Sequence, residues 1–388
     1  MNPLFCAEDE YASGEAGRQI KRMTARGPAA YKLGAILRFA KGTLTFMATP
    51  TGTHKASPEK IFSSLNGYQQ TAALRTAIEL DLFTAIGDGA QDAKSIAEKV
   101  QASERGTRIL CDYLVIQGFL LKDSRKYQLP EDSAVFLSKH SPAYLGSIVG
   151  FLSLPWHSNN FLKLTEVVRR GGSVDGTGDN SKPNDEAWVA FARSMGPMMA
   201  PAARFMAGLM DAAAGKPMKV LDVAAGHGMF GLTIARENAN AQITAVDWPA
   251  VLEVAKENAE KTGVGGRYTV RAGSVFEIDL GAGYDYVLLT NILHHFDVPT
   301  CEILLRRVHA ALKPGGKAVT LEFVPNEDRV SPPAAASFSL VMLTNTAAGD
   351  AYTFAEYCSM FASAGFGKTT MAAVPGTTET VLVSERGV

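Results

Sequence analysis

The stretch Leu221–Ala235, "LDVAAGHGMFGLTIA", decides how the rest of the chain is read. An apolar run meets a cluster of small residues and then passes into apolar residues at helical spacing, so it reads as strand, tight turn and helix. Gly226, Gly228 and Gly231 match GxGxxG, and Asp247 closes the next strand 21 residues after Gly226. Small residues let the backbone turn tightly and approach a ligand, and a carboxylate after the second strand accepts hydrogen bonds from ribose hydroxyls. An adenosine-containing cofactor follows. The pattern alone does not say which one, because dinucleotide-binding enzymes carry the same glycines.

Outward from this loop the rhythm is alternating strand and helix. Strands are expected at "KVLDVAA", "QITAVDW", "YTVRAGS", "YDYVLLT", "KAVTLEF", "KTTMAAV" and "ETVLVS", with helices in the gaps after the first five. Only "PGTTE" separates the last two, too little for a crossover, so they pair as an antiparallel hairpin. The expectation is an α/β fold whose doubly wound parallel sheet ends in that hairpin.

Upstream, residues 57–150 are helical with short breaks, and "LLKDSRKYQL" alternates around a Ser-Arg turn like a small hairpin. Helices followed by a short hairpin make a winged helix. These residues carry ten Lys/Arg against eleven Asp/Glu, so the basic footprint a DNA reader needs is missing. An apolar winged helix fits a dimerisation surface better. Residues 151–210 read as a helical linker rich in Met and aromatic residues, interrupted by the polar loop "GGSVDGTGDNSKPND".

The whole chain of 388 residues has a formal net charge of −1, so no field draws it onto nucleic acid or an anionic membrane. Its four cysteines lie far apart, which argues against a zinc site or a disulfide framework and for a reducing, cytoplasmic setting. No apolar run is long enough to span a bilayer, and no stable membrane association is expected. Residues 1–56 hold eight Lys/Arg against four Asp/Glu and read as a flexible tail, with Met47 as a candidate true start. A short basic amphipathic helix at "AAYKLGAILRFAKGTLTF" is the other reading.

Three details favour S-adenosylmethionine over NAD: Asp222 just before the loop, the closing hairpin, and "AGSVF" at the end of the third strand. Here the sequence resembles the small-molecule O-methyltransferases of the caffeate and hydroxyindole type. The resemblance runs from about Pro58 to the C-terminus and is strongest from "VLDVAAGHG" through "HHFDVPTCEILLRRVHAALKPGG" to "SAGF". It implies a winged-helix dimerisation domain (57–150), a helical linker lining the acceptor pocket (151–210) and a Rossmann-like seven-stranded methyltransferase domain (211–388). A homodimer formed through the N-terminal domain is implied with it.

Carried over residue by residue, the family's cofactor loop falls on Ala224, Ala225, Gly226 and Gly228, and its ribose-binding acid on Asp247 beside Trp248. The pair flanking adenine falls on Ser274 and Val275, and a further cofactor contact on Thr290. Phe191 and Met195 match positions covering cofactor and substrate; Trp156, Phe161 and Met198 are the remaining candidates for the acceptor pocket, with His157 beside them. Two alanines in place of glycines narrow the room at the methionine tail, and Ser274 replaces an Asp.

His294 and His295 stand side by side after the fourth strand, where doubly wound sheets bind ligands. Methyl transfer to a hydroxyl needs positioning and a base, and imidazole suits that role. The resemblance places the general base on His294 and its orienting acid on Glu322. A second family Glu falls on Ala351 and is missing, with Asp350 adjacent as a substitute. His295 reads as an ordinary loop residue, and His227 as either a cofactor contact or an exposed loop side chain. The expected function is methyl transfer from S-adenosylmethionine to a hydroxyl of a small, largely apolar, aromatic acceptor. N- or C-methylation of a small molecule is the alternative, with an NAD-dependent oxidoreductase or a non-catalytic DNA-binding regulator behind it. No metal is expected.

Overall fold

The computed structural model describes residues 56–174 and 185–387, apart from the side chains of Trp156 and Asp185. The expected N-terminal tail and most of the expected polar loop lie outside the described residues. The described residues divide into two compact units, one up to Thr71 and one from Ala72 onward. Helix α1 (Glu59–Leu65) lies in the first unit, and α2 (Gly67–Glu79) begins there.

The second unit opens with helices α3 (Leu82–Gly87), α4 (Ala93–Lys99) and α5 (Glu104–Ile116), the hairpin β1 (Leu121–Asp123) with β2 (Lys126–Gln128), and α6 (Glu131–Phe136). Local chemistry starts each piece. Asp92 caps α4 by accepting from the Ser95 N–H at 2.9 Å, Ser103 caps α5 through the Gly106 N–H at 3.1 Å, and Ser124 turns the hairpin at φ 55°. Leu82, Phe83, Ile96, Leu114 and Tyr127 form the core beneath them.

Short helices α7 (Val149–Leu152), α8 (Pro155–Leu162), α9 (Leu164–Arg170) and α10 (Asp185–Ser194) lead to α11 (Gly196–Leu209). The methionines of α11 are core in part: Met199 and Met206 are buried in the same cluster as Val220 and Ile243 of the sheet.

The large domain then alternates β3 (Met218–Val223), α12 (Met229–Glu237), β4 (Ala241–Asp247), α13 (Pro249–Lys261) and β5 (Tyr268–Ala272). The chain returns for β6 (Tyr284–Thr290), α14 (Val298–Ala311), β7 (Leu312–Glu322), α15 (Pro333–Asn345), α16 (Phe354–Ser363), β8 (Thr369–Ala373) and β9 (Thr380–Glu385). Asp297 caps α14 as its position suggests, accepting from the Thr300 N–H at 2.9 Å.

Strand order is β5-β4-β3-β6-β7-β9-β8. The first five strands in sequence are parallel, and β9 runs antiparallel to both β7 and β8. The expected seven-stranded sheet with its closing hairpin is therefore present. β3 and β6 lie side by side where the winding reverses, and ligands of such sheets sit beyond the strand ends at that point. Three details differ: among the described residues no helix fills the gap between β5 and β6, β7 begins at Leu312 rather than Lys317, and β3 stops at Val223 because Ala224 takes φ 54°, which begins the turn earlier than the apolar run implies.

Candidate active site

A cavity of about 320 Å³ opens beyond the carboxyl ends of β3, β4 and β6. Its floor is the loop Ala224–His227, with Asp247 and Trp248 after β4 and Gly273–Phe276 after β5. Thr290 at the end of β6 and Asn291, His294 and His295 beyond it form one wall, and Met195 at the start of α11, Met198, Phe338 and Met342 among others form an apolar roof.

At the cofactor end, Gly226 takes φ 57°, and its N–H donates to Asp247 Oδ2 at 2.8 Å. The Trp248 N–H donates to the other oxygen at 2.7 Å, so the carboxylate is pinned while each oxygen keeps lone pairs for ribose hydroxyls. Burial pushes the Asp247 carboxyl up to about 6. Ala224, Gly226, Asp247, Trp248, Ser274, Val275, Thr290 and Met195 all line the cavity.

Gly228 does not. A Cβ there would meet Tyr268 Oη at 2.7 Å, and its φ of 75° begins α12, so this glycine serves the turn and the packing behind it. His227, with an exposed alternative in the sequence, is 3% exposed and lines the cavity. Its Nε2 and Asn291 Oδ1 are buried without a hydrogen-bond partner among the described residues. Orphaned polar atoms beside a pinned carboxylate and a left-handed backbone turn fit a cofactor with a ribose and a polar tail.

His294 stands in the short turn Leu293–His295, 3% exposed, with Nδ1 2.5 Å from Glu322 Oε2. Glu322 is fully buried at the end of β7. Its other oxygen accepts the N–H groups of Ile292 at 3.2 Å and Leu293 at 2.9 Å, so one carboxylate holds both the ring and the turn that carries it. A carboxylate accepts and cannot donate, which keeps a proton on Nδ1 and leaves Nε2 as the basic nitrogen.

His295 is not an ordinary loop residue. It lines the cavity, its ring 4.3 Å from that of His294 and 5.6 Å from Trp188. Desolvation, and then the charge of His294, hold it well below the usual imidazole range.

Of the acceptor candidates, Phe191 and Met198 line the cavity, with His157 beside them; Phe161 does not and is 39% exposed. Phe161 lies on a face of α8 turned from the cavity, a direction set by tertiary packing. Trp156 carries a side chain outside the described set. Asp350 does not stand in for the missing second acid: Arg329 pairs with it at 3.2 Å, and it is absent from the cavity lining. A buried acid does stand close by, Glu379, 5% exposed, which accepts from Asn291 Nδ2 at 2.8 Å. Sequence reasoning passed over Asn291, Glu379, Trp188, Phe338 and Asn345. Only the NILHH context signalled Asn291; the others come from segments distant in the chain.

Among the described residues no group of three or more His, Cys, Asp or Glu side chains could hold a metal ion, and no helix is long and apolar enough to cross a membrane.

The sheet order, the glycine turn after its first strand and the acid closing its second define the class of S-adenosylmethionine-dependent methyltransferases. Family models match an O-methyltransferase dimerisation domain at residues 62–139 and an O-methyltransferase domain at residues 207–367. A solved structure from Nostoc punctiforme, provisionally assigned as an O-methyltransferase, is 49% identical, spans 86% of this chain and 100% of its own, and superposes with a TM-score of 0.82. The 3-hydroxy-5-methyl-1-naphthoate 3-O-methyltransferase of Streptomyces sahachiroi is 28% identical over 79% of this chain and 89% of its own length. The S-adenosyl-L-methionine-dependent methyl transferase PigF of Serratia sp. is 27% identical over 84% of this chain and 94% of its own. A solved structure of PigF with S-adenosylhomocysteine superposes with a TM-score of 0.74 at 26% identity, spanning 85% of this chain and 100% of its own.

This chain belongs to the O-methyltransferase family. Membership also decides against the nicotinamide-dependent alternative.

Proposed function

We propose that the protein transfers a methyl group to the hydroxyl of a small, largely apolar aromatic molecule, with His294 as general base and Glu322 as its orienting acid. The observation that carries this reading is the 2.5 Å pairing of His294 Nδ1 with a fully buried Glu322 at the wall of the cavity. The cofactor is S-adenosylmethionine, which supplies a methyl group already activated on its sulfonium. The chain's residues supply position, dryness and a proton sink. Asp247 and the Gly226 turn hold the ribose end; Trp248, Ser274 and Val275 border the adenine end.

His294 Nε2 takes the hydroxyl proton as the oxygen attacks, and Glu322 stabilises the imidazolium that results. Phe338 meets the His294 ring edge-on at 4.9 Å and stacks on Phe323 at 4.0 Å. These rings offer an apolar wall to a flat acceptor and exclude water from the base. The relative from Streptomyces sahachiroi, named for a hydroxynaphthoate, supports an aromatic acceptor by analogy. The N-terminal domain serves a homodimer, in keeping with the dimerisation model that it matches.

The test is a screen of phenolic acceptors with wild type and His294→Ala. The variant should bind S-adenosylhomocysteine as wild type does and lose about 10²–10⁴ in kcat. Unchanged turnover in His294→Ala would remove the base from this mechanism.

A further inference from the structure

The segment that carries His294 begins where β6 ends, and its residues up to the ring are each held by a bond. Asn291 takes φ 55°, which swings the chain out of the sheet, while its N–H still donates to Leu321 O of β7 at 2.9 Å. The N–H groups of Ile292 and Leu293 then converge on Glu322 Oε1, and the His294 ring meets Glu322 Oε2. Outside glycine the left-handed conformation of Asn291 is uncommon. Asn admits it best, as a single residue that local bonds hold in place.

The bond that holds the Asn291 side chain comes from the hairpin that closes the sheet. Glu379 Oε1 accepts from Asn291 Nδ2 at 2.8 Å, and Met199 Sδ of α11 lies 3.7 Å from the same nitrogen. Glu379 ends the link between β8 and β9 and is firmly seated there. Its N–H donates to Thr377 Oγ1 at 3.2 Å, and its carbonyl accepts from the Val374 N–H at 3.1 Å. The next residue, Thr380, stands opposite Glu322 in the ladder between β9 and β7. Two acids from adjacent strands thus meet successive residues of the turn: Glu379 its first, Glu322 the next three. Burial pushes the Glu379 carboxyl up, the bond from Asn291 pulls it down, and the charges of Glu322 and His294 both reach it. Burying a second acid so near the first is unfavourable, and the bond to Asn291 is the contact that offsets it.

We propose that Glu379 is a positioning residue for methyl transfer: by holding Asn291 it fixes the entry to the turn, and so the place of His294 against Glu322. The inference rests on His294 as general base. Glu379 is absent from the cavity lining, so it acts through Asn291 and not on a ligand. Without this bond Asn291 is free to leave its left-handed conformation, and the two N–H groups that follow rotate away from Glu322 Oε1. The carboxylate turns with them, and His294 Nδ1 loses the acceptor that fixes its orientation and tautomer. The bond needs an acceptor rather than a charge, so Gln serves at position 379 and Met does not.

The experiment is proton NMR of the full chain. The His294 Nδ1 proton, in a 2.5 Å bond to a buried carboxylate, should give a line far downfield of the amides, assigned by its loss in His294→Ala. Glu379→Met keeps the volume and removes the acceptor; it should lose or shift that line upfield while binding S-adenosylhomocysteine as wild type does. Glu379→Gln should restore the line. Turnover of a phenol taken from the acceptor screen should follow it, falling about tenfold in Glu379→Met and recovering in Glu379→Gln. Asn291→Gly tolerates the φ of 55° and removes the bond from its other end, so the double variant with Glu379→Met should turn over no more slowly than Asn291→Gly alone. A wild-type spectrum without the line, a Met variant that keeps it, a Gln variant that loses it, or additive losses in the double variant each overturn the assignment. The line reads the ring whether or not His294 is the base. A failure of the base reading, seen as unchanged turnover in His294→Ala, is thereby told apart from a failure of this one.

Discussion

Glu322 binds three donors through two oxygens, and that count sets what its replacement does. In Glu322→Gln the amide oxygen can still accept from Ile292 and Leu293. The amide NH₂ then faces His294 Nδ1, which must become an acceptor, and the proton moves to Nε2. The variant should fold and bind S-adenosylhomocysteine normally while kcat falls by about 10²–10⁴. A loss smaller than tenfold would show that the ring does not depend on this partner for its tautomer. Asp222 makes a prediction in stability instead. It is fully buried, Gly231 N–H donates to Oδ2 at 3.1 Å, and burial pushes its carboxyl from 3.8 up to about 7. The folded chain therefore holds this proton to higher pH than the unfolded chain. Its stabilising contribution is complete below pH 3.8 and is lost as the pH rises towards about 7. Asp222→Asn should gain on wild type in urea midpoint between about pH 5 and about pH 8. A gap that stays constant with pH contradicts the account.

At the scale of elements, the His294 turn is fixed from several sides. The segment after α15 presses on it: a Cβ on Gly349 would fall 2.2 Å from His294 O and 2.9 Å from the carbonyl carbon of His295. Both neighbours are backbone and cannot swing aside. Gly349→Ala should therefore cost about 1–3 kcal/mol of stability and lower kcat along with it, because relief comes only by shifting the catalytic turn. Thermal unfolding and steady-state rates measured on one preparation check this, and a variant as active and stable as wild type would show the contact to be soft. The Gly349 N–H is held by Thr346 Oγ1 at 2.8 Å, so this segment has little slack of its own.

For the whole molecule, the feature that matters is surface the described residues leave uncovered. Helix α1 buries none of its residues, and Ile61, Phe62 and Leu65 are 62%, 59% and 68% exposed. Scattered apolar residues on a surface are normal, but three on one short helix make it the face to test in the proposed homodimer. With the dimerisation model matching from residue 62, Leu65→Glu should shift the protein from dimer towards monomer by light scattering after size exclusion. A dimer unaffected by both Phe62→Glu and Leu65→Glu would place the interface elsewhere.

The sequence by itself determined what depends on local rhythm. Alternating apolar strands and the GxGxxG turn dictated the order of elements, and the short link around Pro375 and Gly376 dictated the closing hairpin. His294 and Glu322 were legible through the family resemblance, and the sheet agrees with the pairing: Glu322 ends β7, His294 stands just past β6, and Thr290 lies opposite Leu321. Tertiary structure decided where side chains point once helices distant in the chain cover the strand ends. It turned His227 and His295 into the cavity, left Phe161 in solvent, drew Asp350 to Arg329 and set Glu379 behind Asn291. A strand or turn is specified by near neighbours and backbone geometry. The direction of a cavity side chain depends on packing among segments that are not neighbours in the chain, and no local pattern encodes that.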